Sequence, residues 1–172
     1  RRVLFRSTAM FREAGIAAPA IYPMVRGRYL EHNGQPLNIE ALEERERRAV
    51  EREFNLSYME KPQPYNSVVE GRWFSSEDLR NGAFSVEEGM AKRRDWKVGD
   101  TLTWQVGGRN VTAPITSIRR LDWDSMRVNF FVIATPGLLA DAPASFISAF
   151  HLPEGRLAFA NSISQQIGRA HV

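Results

Sequence analysis

Asp122, Asp124, Ser125 and Arg127 crowd into one stretch, RRLDWDSMRVNFFVIATP (Arg119–Pro136), beside a bulky apolar run. A serine, a carboxylate and a histidine are the types that nucleophilic acyl transfer needs, and His151 would complete that set. The pattern argues against it. Ser125 lacks the Gly-x-Ser-x-Gly elbow that exposes such a nucleophile, and nothing brings His151 to it. Metal chemistry fares no better: His32 and His151 stand alone without acidic partners at ligand spacing, and a chain without cysteine has no thiolate ligands or disulfides. Glu87 and Glu88 are adjacent, so a helix would point them apart, and capping suits them better than paired acid–base work. The glycines of VGGRN lack the strand-loop-helix setting of a phosphate loop. In KRRDWK, Lys92–Lys97, cations surround an aromatic ring; a solvated helix end accounts for this more simply than a lipid or nucleic-acid contact. No catalytic, cofactor-binding or metal set emerges.

The elements that must hold these residues are short. Met24–Glu31 alternates as a strand, and Asn33-Gly34 supplies a hairpin turn. Asn38 is positioned to cap the charged helix EALEERERRAVERE, whose thin stripe of Leu42, Ala49 and Val50 indicates a surface location. Phe54, Leu56 and Tyr58 alternate as a half-buried strand, and Val68-Val69 leads through EGRWF as another. Ser85-Val86-Glu87-Glu88 has capping-box spacing, predicting a helix to Lys92 or Arg93. Leu102, Trp104 and Val106 form one arm of a hairpin whose turn is Gly107-Gly108; Val111, Ala113 and Ile115 form the other. This phase points Thr101, Thr103 and Gln105 away from the core, and Pro114 predicts an edge or bulge. Asn129–Ile133 and Phe146–Leu152 read as further strands, with Pro153 opening a last helix. The expected class is α+β: a mixed, mostly antiparallel sheet with short helices. Within it Trp73, Trp96, Trp104 and Trp123 serve as packing groups, while Asp124 and Arg127 pair to tie down the approach to the Asn129 strand.

The two ends read differently from the rest. Arg1–Ser7 and the terminal IGRAHV (167–172) can be encoded by reverse-complementary DNA that matches a sequencing adapter in its two orientations, so both are expected to be translated adapter. Arg1, Arg2, Arg6 and Arg169 belong to those ends, which carry no acid. Nineteen bases then face 20 acids, and the formal charge moves from +3 to −1. A nucleic-acid partner loses its main support. Residues 8–166 are enough for one domain with a real core, and the longest apolar run, Phe130–Ala134, is far short of the ~20 residues that cross a bilayer.

YPMVRGRYLEHNG, REFNLSY, SVEEGMA, VGDTLTW and above all WDSMRVNFF occur in an order that resembles the extracytoplasmic domain of FtsX-like ABC-transporter permeases of the YbbP type, with a MacB-like periplasmic core domain. The resemblance covers residues 8–166. It departs from the usual pattern at RRDWKVGD, where a more apolar helix end is expected. What it implies is a periplasmic segment of a bacterial inner-membrane permease. Such a segment is non-catalytic, needs no cofactor, and couples motion driven by a separate cytoplasmic ATPase to a periplasmic partner or a lipid or lipoprotein substrate within a dimeric transporter. The signature residues carried over are Trp123, Asp124, Ser125, Arg127, Asn129 and Phe130, in a structural or interface role. The competing readings are a free-standing periplasmic enzyme and a lipid-binding module.

Overall fold

A computed structural model describes residues 20–123 and 127–148, and Tyr22–Ile147 form the unit considered below. Asn33 and Gly34 adopt φ of 51° and 76°, the left-handed conformations that a two-residue hairpin requires. They join β1 (Tyr22–His32) to the short β2 (Gln35–Pro36). Gly107 and Gly108, at 57° and 80°, do the same for β6 (Thr101–Val106) and β7 (Arg109–Leu121). Leu102, Trp104, Val106, Val111, Ala113 and Ile115 are all buried, as the alternation predicts. Thr103 departs from it. Expected to face outward, it is buried, and its hydroxyl meets that of its cross-strand partner Thr112 at 2.8 Å. The hydrogen bond to the exposed Thr112 lets the Thr103 hydroxyl be covered at little cost. Pro114 is exposed and pairs with Thr101 of β6; β5 and β4 join β7 only beyond it, so its missing amide breaks no second ladder.

The remaining strands are β3 (Phe54–Tyr58), β4 (Asn66–Gly71), β5 (Phe84–Glu87), β8 (Val132–Ala134) and β9 (Ser145–Ile147). They form one sheet in the order β2-β1-β3-β8-β5-β7-β4, with β6 bridging β1 and β7 and β9 pairing with the start of β1. The β6 bridge closes the pairings into a ring through β1, β3, β8, β5, β7 and β6. Two pairings, β3 with β8 and β5 with β7, are parallel. The long strands make the closure possible, because each changes neighbours midway. β1 pairs with β3 up to Gly27 and with β6 from Arg28. At Gly27 a Cβ would lie 2.6 Å from Leu56 Cδ1 and 3.3 Å from Val106 Cγ2, so the hand-over requires glycine.

The main core contains Leu56, Phe84, Val86, Leu102, Trp104, Ile115 and Val132. Aromatic edges organise part of it: Trp104 packs against Phe54 and Tyr29, and Trp96 donates to the Tyr29 hydroxyl at 3.1 Å. A second, smaller cluster of Phe74, Ala83, Phe130 and Ile133 packs with Tyr22, Met24 and Val128.

The helices depart from the sequence reading at their starts. Asn38 makes no side-chain cap; it precedes a 3-10 turn, Ile39–Ala41, and the charged helix α1 begins later, at Glu44–Glu51. Leu37 and Leu42 both pack on the core, and the chain turns between them before the charged run starts. Of the expected stripe on α1, Val50 is buried and Ala49 is exposed. Ser85 is not a cap either. It is buried in β5, and Glu87 caps α3 (Glu88–Arg94), accepting from the Gly89 and Met90 amides at 2.7 Å each. The capping box lies instead at Ser75 and Asp78, opening α2 (Ser76–Asn81). Pro136 opens the short α4 (Pro136–Leu139). β4 ends at Gly71, before Trp73 and Phe74, and β8 begins at Val132 rather than Asn129. The Phe146 strand is β9; its expected continuation and the Pro153 helix fall outside the described residues, as do both end peptides.

Candidate functional site

Along β7 the buried positions continue past Ile115 in the same phase to Ser117, Arg119 and Leu121. Arg119 is therefore carried into the interior by the strand's own period of two. Its guanidinium is fully buried. Nε donates to Ser85 Oγ at 2.8 Å, Nη1 to Asn66 Oδ1, and Nη2 to the Phe130 carbonyl at 2.8 Å and the Ser85 and Phe131 carbonyls at 3.3 Å. Ser117 Oγ donates to Ser85 Oγ at 2.6 Å. Among the described residues no carboxylate comes within ion-pair distance of Arg119. Burial pulls its guanidinium down to about 10, against the upward influence of Glu87, so it remains a cation at neutral pH. One buried cation thus joins β4, β5 and the residues leading into β8.

Those residues, 127–131, cross the smaller apolar cluster. Phe130 is buried and meets Tyr22 edge-on at 6.3 Å. The Val128 carbonyl accepts from the Tyr65 hydroxyl at 2.5 Å and from Gln63 Nε2 at 3.0 Å, and Gln63 Nε2 also lies 2.6 Å from the Tyr65 oxygen. Burial, and after it the neighbouring Tyr22 hydroxyl, push the Tyr65 phenol above its ordinary value; it stays protonated and able to donate. The loop after β3, EKPQPYN, is thereby stitched to the loop after β7.

The signature residues separate into three groups. Phe130 and the half-buried Asn129, whose Nδ2 donates to the Arg127 carbonyl at 3.2 Å, belong to the packed stretch. Trp123 and Arg127 face solvent. Trp123 is 58% exposed with its ring tilted on Phe131, which corrects its expected role as a packing group. The end of β7 already fills the interior with Arg119 and Leu121, and the chain has left the sheet by residue 122. Arg127 lies over the Tyr65 ring at 5.0 Å. Asp124 and Ser125 lie outside the described residues, and the expected Asp124–Arg127 pair falls there too. So does His151 of the acyl-transfer trio.

His32 is the last residue of β1, and Nε2 lies 2.8 Å from Asp100 Oδ2. Asp100 Oδ2 also accepts from the Lys97 amide at 2.9 Å. Among the described residues no three His, Asp or Glu side chains converge as a metal site. Two open depressions, of about 450 and 390 Å³, lie beside α1 and beside the Met24–Ser145 pairing, the second lined also by Arg26, Glu53, Gly107 and Pro143. Among the described residues the first has no hydroxyl in its lining, and the second places Ser145 and Glu53 around one open depression with no histidine. The Ser85 and Ser117 hydroxyls do touch each other, but both residues are wholly buried and out of a substrate's reach. The arrangement can hold a loop and present a tryptophan and an arginine.

Sequence reasoning missed Arg119, Gln63, Tyr65 and Asn66. For Arg119 the available signal was its phase with Val111, Ala113 and Ile115. For the others the partners are 53 to 65 residues away and leave no local trace.

No family model matches the chain. Over 147 residues, 86% of its length, it is 34% identical to a protein of Escherichia coli (strain K12) described as the uncharacterized ABC transporter permease YbbP. The chain spans 17% of that relative's length, and most of the chain is therefore similar to one segment of an ABC transporter permease.

Proposed function

We propose that the chain is a periplasmic domain of an FtsX-like ABC permease with a MacB-like core fold. In this reading it catalyses no reaction itself. It couples movement of membrane helices, driven by a separate cytoplasmic ATPase in a dimeric transporter, to a periplasmic partner or a lipid or lipoprotein substrate during export or extraction. The observation that carries the reading is the similarity to an ABC transporter permease over 86% of the chain. The architecture is compatible with it: no helix among the described residues is long and apolar enough to cross a membrane, so membrane spans would come from flanking segments. Exposed Trp123 and Arg127 are the contact residues this function would use, since tryptophan and arginine are enriched where protein surfaces bind tightly.

Sequencing the flanking DNA tests the proposal. Hydrophobic spans on both sides of the domain and a neighbouring ATPase gene are expected; a free-standing reading frame ending beside the domain would overturn it. Co-purification of the full-length permease with that ATPase is the matching biochemical result.

A further inference from the structure

We infer that residues 127–131 are a coupled output of the start of β1: displacement of Tyr22 and Met24 is transmitted to Trp123 and Arg127 through the smaller apolar cluster. This deepens the proposed permease function and rests on it for its biological meaning, although the coupling is a property of the domain itself. Tyr22 and Ile147 are directly opposite in the β1–β9 ladder, so the strands leading to both flanking segments run side by side there. A movement imposed from either flank reaches that ladder first. Tyr22 then meets Phe130 edge-on at 6.3 Å, and Met24 and Val128 belong to the same cluster. Val128 is held from the other side by Gln63 and Tyr65, and Tyr65 carries Arg127 on its ring. The next anchor is the Arg119 guanidinium on the Phe130 and Phe131 carbonyls, and the Phe131 ring carries Trp123.

Each step is a packed or hydrogen-bonded contact, and 127–130 have no strand neighbours of their own. Side-chain contacts set their position up to the Phe131 carbonyl, where the Glu87 amide of β5 donates at 2.8 Å, and this makes them responsive. The β6–β7 hairpin offers an internal control, because its ladder is continuous from Thr101↔Pro114 to Val106↔Arg109 and β1 meets it only from Arg28 onward, beyond Tyr22 and Met24.

Amide hydrogen exchange on the whole chain tests the coupling. Tyr22→Leu is expected to speed exchange at 127–131 by about 10-fold while leaving residues 101–113 unchanged. Met24→Ala, which opens the same cluster from the next position of β1 on that face, should act in the same direction and serves if Tyr22→Leu does not fold. Unchanged exchange at 127–131 in a folded variant would overturn the inference, as would equal acceleration in the hairpin. The proposed function is read separately, in the full-length permease, as an ATP-dependent change in exchange at 127–131. Its absence in the wild type counts against the permease role; its presence in the wild type and persistence in Tyr22→Leu counts against the relay.

Discussion

Arg119 shows what a buried cation can do without a carboxylate. Five acceptors, three of them backbone carbonyls, take the place of a counter-ion; without the guanidinium Ser85 Oγ would keep Ser117 and the Phe131 carbonyl would keep the Glu87 amide, but the Phe130 carbonyl and Asn66 Oδ1 would lose the donor they have here. An unsatisfied buried acceptor costs about 1–3 kcal/mol. Arg119→Met, which keeps the bulk of the chain but no donor, should therefore lose ~3 kcal/mol or more in urea denaturation. Adding Ser85→Ala should cost less than the two single changes combined, because the acceptor is removed along with its donor; strict additivity would mean that water replaces the guanidinium. The tryptophans provide a contrast. Trp104 is buried among Tyr29, Phe54 and Trp96, and Trp104→Ala should cost ~3–5 kcal/mol, whereas Trp123→Ala should cost under ~1 kcal/mol. Asp100 adds a pH dependence. Burial pushes its carboxyl up, but hydrogen bonds from His32, the Lys97 amide and Asn33 outweigh this and hold it below its ordinary 3.8. A depressed carboxylate stabilises the fold above the unfolded value and loses that contribution as pH falls through the folded one. Stability curves of wild type and Asp100→Asn should be separated above about pH 4 and converge below it; a gap that widens with acid would contradict this assignment.

At the level of elements, the hand-over of β1 from β3 to β6 is the most demanding local feature. Gly27→Ala would drive a methyl into Leu56 and Val106, neither of which has solvent to move into, and should destabilise by about 1–3 kcal/mol through overpacking. A thermal melt within about a degree of wild type would show that β1 can shift there. The sequence reveals some elements well and others poorly for physical reasons. Asn33-Gly34 and Gly107-Gly108 are legible because positive φ is a local demand that few residues meet, and the alternation around them fixes which face is buried. The start of α3 is misleading because Ser85 has two possible uses, a cap or a buried acceptor, and only the arrival of Arg119 from 34 residues away decides between them. The residues before β8 look like strand because Val128, Phe130 and Val132 alternate. They cross the smaller cluster instead, held by Gln63 and Tyr65 from a distant loop. Hydrophobic pattern reports burial, and Phe130 is buried and Val128 half-buried; the ladder implied by the pattern is absent. The candidate site was legible as a crowded segment, while the division of its residues between interior and solvent depends on partners that spacing does not encode.

For the whole molecule, the question is whether exposed Trp123 and Arg127 serve a partner or only the stability of their loop. Exposure and ring stacking limit what they contribute to the fold: Trp123 touches Phe131 on one side, and Arg127 lies over Tyr65 in contact with solvent. Their loss should therefore leave the domain folded. Binding is different, because closing a partner over a tryptophan removes its remaining apolar surface from water, and such anchors contribute 2 kcal/mol or more where they sit at an interface centre. On the function proposed above, Trp123→Ala with Arg127→Ala in a full-length permease should preserve folding and assembly with the proposed ATPase yet weaken capture of the proposed periplasmic partner by ~30-fold or more. Arg119→Met should lose stability and capture together, since it releases the Phe130 and Phe131 carbonyls. The two variants thus separate contact from support. Capture retained in the folded double variant would place the working surface elsewhere on the domain; loss of capture with unchanged loop exchange would place it on these two side chains.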